Sequence, residues 1–151
     1  MDKLPHPLYA QDEFVFRKGT DFERLDDKGY LSFNGLAYNT VWSIGCPYLC
    51  TYCSNSKFIN NDFGYRRLRH SSVDNIISEI KNVIKVHPHV STICFHDDGF
   101  MALPYDVLED FSDKWRKEIN TPFAVFGINP NVVKREKIEL LEKVDIPEGT
   151  K

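Results

Sequence analysis

A net positive charge is the first thing this sequence lacks. Over 151 residues, 19 Lys and Arg stand against 22 Asp and Glu, a formal net charge of −3. Such a chain has no large positive field to attract the phosphates of a nucleic acid or an anionic membrane. Long apolar runs are missing as well; the longest are a few residues, where a bilayer span needs roughly 20. Residues 1–11 are polar and punctuated by proline, without the apolar stretch of a secretory signal, so the expected location is the cytoplasm. No low-complexity segment and no internal repeat occurs. What is present is an ordinary globular mix, 42% hydrophobic and 27% charged, enough for one domain with a buried core.

Cysteine is scarce but clustered. Of the four cysteines, Cys46, Cys50 and Cys53 fall within eight residues and only Cys94 stands apart. Clustered thiols in a reducing compartment point to metal binding or redox chemistry rather than a disulfide framework.

The periodicity alternates between strand and helix. Asp26-Asp27-Lys28-Gly29 reads as a turn, and Asn34-Gly35 as a two-residue hairpin turn between residues 30–33 and 36–38. Residues 39–44 read as a strand ending at Gly45. Residues 71–86 carry Val73, Ile76, Ile77, Ile80, Val83 and Ile84 at amphipathic helical spacing, with Ser71 and Asp74 resembling a capping box. His87-Pro88 ends that helix, because the residue before proline is pushed out of the α region. Residues 90–95 are β-branched and aromatic, a buried strand. A second helix follows Pro104, its apolar face formed by Val107, Leu108, Phe111, Trp115 and Ile119. Residues 123–128 predict a third strand, and residues 134–143 a third helix with Ile138, Leu141 and Val144 inward. The order predicts an α/β fold, a parallel sheet built from βαβ units.

The motif Cys46-Pro47-Tyr48-Leu49-Cys50-Thr51-Tyr52-Cys53 follows the first strand directly. Spacing of i, i+4, i+7 would let three buried thiols line one helix face. Gly45 and Pro47 oppose that and favour a loop wrapped around a ligand. Structural zinc needs four tetrahedral ligands; no second Cys/His pair has the usual spacing, although His70 could be a fourth. Three thiolates alone suit an iron–sulfur cubane with one iron open to another ligand. Cys94, inside an apolar strand, reads as a core residue.

With an aromatic (Tyr52) just before the last cysteine, C-x3-C-x2-C after the first strand of a βα series resembles the radical S-adenosylmethionine (SAM) superfamily. Several further stretches are similar to its cobalamin-associated branch. They are Gly45-Cys46-Pro47, Ser54-Asn55, the run from Tyr65 through Arg66, Arg67, Leu68, Arg69 and His70 into a helix with Glu79-Ile80, and Phe95-His96-Asp97-Asp98-Gly99-Phe100. Asn129-Pro130-Asn131-Val132, before the Ile138–Lys143 helix, fits the third βα unit. The resemblance covers residues 39–145. It implies a partial (β/α) barrel of about three units over residues 39–151, preceded by an extension, residues 1–38, with a short hairpin.

The resemblance further implies a 4Fe–4S cluster on Cys46, Cys50 and Cys53, SAM on its open iron, and reductive cleavage of SAM to a 5′-deoxyadenosyl radical. A reductant protein such as a flavodoxin or ferredoxin would supply the electron. Tyr52 would lie beside the adenine. Asp97 and Asp98 stand where the family has Gly-Gly-Glu, and would receive the SAM amino group; the plain alternative is a solvated, helix-capping acidic pair. Asn129 lies at the strand edge where barrel sites collect, or is a turn residue before Pro130. Arg66, Arg67 and Arg69 bind an anion or form a solvated basic run, and His96 is equally open. No catalytic residue is assigned.

The chain also departs from the family. Three βα units stand where six are typical, so a truncated protein, or one completed by a partner, is expected, with self-association through an open sheet edge. No cobalamin-binding pattern precedes Tyr38. A rival expectation is a non-catalytic iron–sulfur or zinc-binding module.

Overall fold

The computed structural model describes residues 1–7, 14–16, 19, 21–26, 29–31 and 35–145. Three strands, β3 (Ala37–Thr40), β6 (Thr92–Phe95) and β7 (Phe123–Val125), form a parallel sheet in that consecutive order. Tyr38 pairs with Ile93 and Ile93 with Phe123; on the opposite face Asn39 pairs with Cys94 and Cys94 with Ala124. The first crossover contains α1 (Asn55–Asn61) and α2 (Val73–Val86), the second α3 (Tyr105–Glu118), and α4 (Arg135–Asp145) follows β7. Crossovers of one hand put successive helices on one face, and α2 packs on α3 and α3 on α4. The protein is therefore mixed α/β, a small parallel sheet flanked by helices.

Side-chain parity explains the layer. Tyr38, Ile93, Phe95, Phe123 and Val125 point toward the helices and meet Ile76, Ile80, Leu108, Phe111 and Trp115 in one core. Its centre is aromatic, with Trp42 stacked on Phe111 at 4.9 Å and Phe95 edge-on to Trp115 at 5.7 Å. Both indole N–H groups find carbonyls, Trp42 on Ser71 (3.0 Å) and Trp115 on Thr121 (2.8 Å), as buried indoles require. Glu79 of α2 accepts from Tyr38 Oη (3.0 Å) and Thr40 Oγ1 (2.9 Å), tying helix to sheet through a satisfied buried carboxylate. The buried Lys137 of α4 donates to the Met101 and Leu103 carbonyls, and burial lowers its pKa.

Several expectations shift. The first strand begins at Ala37 rather than 39 and stops at Thr40; β4 (Ser43–Ile44) then pairs antiparallel with β5 (Arg69–His70) instead of continuing the parallel sheet. The helix cap is Ser72, whose Oγ accepts from the Asn75 N–H at 3.2 Å, not Ser71. The hairpin around Asn34-Gly35 is not formed as expected. Residues 29–31 are helical, residues 32–34 lie outside the described set, and Ala37–Thr40 pairs in parallel with β6. The antiparallel ribbon instead lies earlier, where β1 (Phe14–Phe16) pairs with β2 (Phe22–Arg24). Segments of three residues carry too little alternation to be read from sequence. Tyr30, within the expected extension, is buried in the same core. No helix among the described residues is long and apolar enough to cross a membrane.

Candidate functional site

Gly45 sets the start of the cysteine loop. Its φ is +112°, and a Cβ there would sit 2.6 Å from the Arg67 carbonyl oxygen and 2.8 Å from that of Tyr65. Only glycine allows the two backbones to approach this closely. The Cys46 N–H then donates to the Tyr65 carbonyl at 3.0 Å. With β4 paired to β5 just outside it, the excursion between Gly45 and Leu68 is cinched at its base. Within the loop, the Cys53 N–H donates to the Cys50 carbonyl (3.1 Å), and Ser56 Oγ to the same oxygen (2.6 Å). The three thiols lie before α1, not along a helix face.

The loop faces the C-terminal ends of β6 and β7 across an open cavity of about 550 Å³. Cys46, Cys50 and Cys53 line it, with Tyr48, Tyr52 and Asn55 from the same loop. Opposite stand His96, Asp97 and Asp98 after β6, and the segment from Phe126 to Asn131 after β7. Every residue singled out for cluster or SAM contact therefore borders one space: Cys46, Cys50, Cys53, Tyr52, Asp97, Asp98 and Asn129. Arg66, Arg67 and Arg69 do not; all three are exposed, with Arg66 over the Phe63 ring. Cys94 is buried on β6 outside the cavity lining, and His70 packs edge-on to Trp42 at 5.7 Å. His70 is thus not gathered with the thiols as a fourth ligand.

The acidic pair divides. Asp97 is 1% exposed, and its carboxylate accepts from the Trp42 N–H (3.1 Å), the Ser43 N–H and Ser43 Oγ. This grip on two successive N–H groups is what breaks the first strand after Thr40. Burial raises the Asp97 pKa despite these hydrogen bonds. At 1% exposure, with three donors on its two oxygens, Asp97 is not a solvated cap. Asp98 is half-buried; Tyr65 Oη donates to its Oδ2 at 2.6 Å, and that bond, with burial, pushes the phenol up to about 12. A carboxylate has further lone pairs, so Asp98 retains acceptor capacity toward the cavity.

Asn129 is half-buried. Its Oδ1 accepts from the Asn131 N–H at 2.9 Å, capping the 3₁₀ turn Pro130–Val132, so the turn role is realised at a position that also lines the cavity. Tyr52 is 91% exposed at the loop tip. Burial raises the Cys46 and Tyr48 pKa values. Tyr48, Asn55, Phe126, Gly127, Ile128 and Asn131 were not expected in the site. Phe126, Gly127 and Ile128 carried a usable signal, since they fall in the second half of the predicted third strand, which stops at Val125 in the structure. Gly127 has φ +68°, and a Cβ would lie 3.0 Å from the Asp97 carbonyl oxygen, bringing the two strand ends together.

Among the described residues no three His, Cys, Asp or Glu side chains converge on a point that could hold a single metal ion. Zinc requires donors within about 2.0–2.3 Å of one centre. A cubane takes each thiolate on a different iron, which asks for three thiols around a shared space rather than a common point. The donor set, three thiols on one cavity wall, fits that demand. No protein-family model matches the chain, and no curated protein or solved structure matches it at a significant level.

Proposed function

We propose that this chain is the cluster-binding βα core of a radical SAM protein. Cys46, Cys50 and Cys53 hold a 4Fe–4S cluster, and the adjoining cavity receives SAM. The carrying observation is that three separate chain segments, the cysteine loop and the ends of β6 and β7, bring these thiols together with Tyr52, Asp98 and Asn129 around one cavity. Consecutive parallel strands with helices between them support the finer reading of a partial (β/α) barrel, whose ligands gather at the C-terminal strand ends.

One-electron reductive cleavage of the sulfonium, giving methionine and a 5′-deoxyadenosyl radical, is the chemistry this pair of groups supplies when bound. The chain's own residues position it. Asp98, steadied by Tyr65, accepts hydrogen bonds from the ligand's ammonium group. Tyr52 would lie beside the adenine, and Asn129 would contact the ligand from the β7 side. Asp97 shapes the loop entrance through Trp42 and Ser43. A cytoplasmic location and an electron donor such as a flavodoxin or ferredoxin belong to the same proposal. A second reading, a non-catalytic iron–sulfur module, is favoured by the exposure of His96, Phe126, Gly127 and Ile128 on the cavity wall, because radical chemistry needs exclusion of solvent.

Anaerobic reconstitution followed by EPR of the reduced chain, with and without SAM, tests both. About four iron and four sulfide per chain are expected, lost in Cys46→Ala, Cys50→Ala or Cys53→Ala and kept in Cys94→Ala. SAM is expected to change the spectrum. In Asp98→Asn, loss of a charge-assisted hydrogen bond worth roughly 1.5–3 kcal/mol should weaken SAM binding about tenfold or more with the cluster intact. A spectrum indifferent to SAM would leave the module reading, and stoichiometric zinc without sulfide would overturn both.

A further inference from the structure

The sheet face turned away from the helices carries a constrained histidine. Asn39 of β3, His96 just past β6 and Phe126 just past β7 share this face, in register with Cys94 and Ala124. The His96 ring lies flat on Phe126, with centroids 4.6 Å apart and an interplanar angle of 0°, and its Nε2 is 2.8 Å from Asn39 Oδ1. All three side chains are exposed. An exposed histidine is ordinarily free to turn; this one is held from two neighbouring strands. Because an amide oxygen only accepts, Nε2 carries the proton toward Asn39, and in the neutral form of the ring Nδ1 is the acceptor. Nδ1 has no partner among the described residues.

The charge around this ring is one-sided. Among the described residues no Lys or Arg lines the cavity; its acidic lining residues are Asp98 and Asp97, the latter with its oxygens held by Trp42 and Ser43. A phosphate or carboxylate entering beside His96 would meet a carboxylate and no cation, an unpaired charge that is costly to desolvate.

We propose that His96 is a substrate-positioning residue, whose Nδ1 takes a hydrogen bond from an O–H or N–H of a neutral or cationic substrate packed beside Phe126. This rests on the reading above only in calling that occupant the substrate.

The test uses the full, reduced, iron-free chain and the histidine ring signals in NMR, assigned with His96→Gln. Tyramine, para-hydroxyphenylacetamide and para-hydroxyphenylacetate share a phenol and differ in charge; phenethylamine lacks the hydroxyl. Tyramine and the amide are expected to shift the His96 signals, with the acid binding roughly tenfold more weakly. Tyramine should bind several-fold better than phenethylamine, a preference lost in His96→Phe and partly kept in His96→Gln, which retains an acceptor. Equal binding of the acid, a hydroxyl preference that survives His96→Phe, or no shift by any probe up to its solubility would overturn the proposal. The readout involves neither iron nor SAM, so its failure is distinct from a failure of cluster loading.

Discussion

Two neighbouring carboxylates with opposite duties show how the site is organised at the scale of single residues. Asp98 faces the cavity; Asp97 turns inward and spends its oxygens on Trp42 and Ser43. An amide at position 97 can accept from one side only, and its NH2 would face a backbone N–H. Asp97→Asn is therefore expected to destabilise the chain by about 1–3 kcal/mol, the cost of one buried unsatisfied donor. The pH dependence has a definite sign. Burial raises the native Asp97 pKa above its ordinary 3.8, so the native state keeps a proton the unfolded chain has released. Acidification through the window from the raised value down to 3.8 favours the native wild type and does nothing at this site for the amide. Urea unfolding should accordingly show the deficit of Asp97→Asn widening from neutral pH into mild acid. A deficit that stays constant or shrinks would contradict the raised pKa.

At the scale of elements, the cysteine loop is shaped by its base rather than by its own sequence. The β4–β5 pair and the Gly45 crossing hold the two ends together. Gly45→Ala must adopt φ near +112° and also displace two carbonyls. Each such strain costs about 1–3 kcal/mol, so lowered thermal stability and reduced iron uptake are expected together, with Cys94→Ala as the unaffected control. Normal iron content in a stable Gly45→Ala protein would show that the loop can form without this crossing. The start of α2 offers a milder case. Ser72→Ala should cost about 1 kcal/mol through loss of the cap, whereas Ser71 serves through its backbone carbonyl, which accepts from Trp42 and lies 2.8 Å from His70 Nδ1. The Ser71→Ala change should cost less, as measured by the same unfolding curves.

Across the whole molecule, β3 and β7 are the outer strands of the three-stranded sheet, and the face turned away from α2 and α3 carries the exposed Asn39, His96 and Phe126. Unpaired strand edges are templates for pairing with another chain. Concentration-dependent self-association is expected by sedimentation or by light scattering coupled to size exclusion. Phe123 and Val125 pack into the core, so Ala124 faces the open side. Ala124→Lys should favour the monomer while preserving the helical circular dichroism, since a lysine on an edge strand opposes edge pairing. A wild-type chain that stays monomeric at high concentration would mean that the edge is already protected.

The alternation of strand and helix, the amphipathic faces of α2 and α3 and the clustering of three thiols were all legible in the sequence. They are set by residue type at short spacing, where local periodicity and the mandatory burial of one face leave few alternatives. The exact strand limits were not, nor was the partition between Asp97 and Asp98. Whether a carboxylate binds backbone or faces solvent depends on Trp42 and Ser43, more than fifty residues away in the chain and adjacent only once β3 and β6 are paired. His96 likewise gained meaning only through neighbours on two other strands, Asn39 and Phe126. Composition and spacing decided which layers form, because those forces act between near neighbours along the chain. The parallel pairing decided which side chains share the cavity, because that contact exists only in three dimensions.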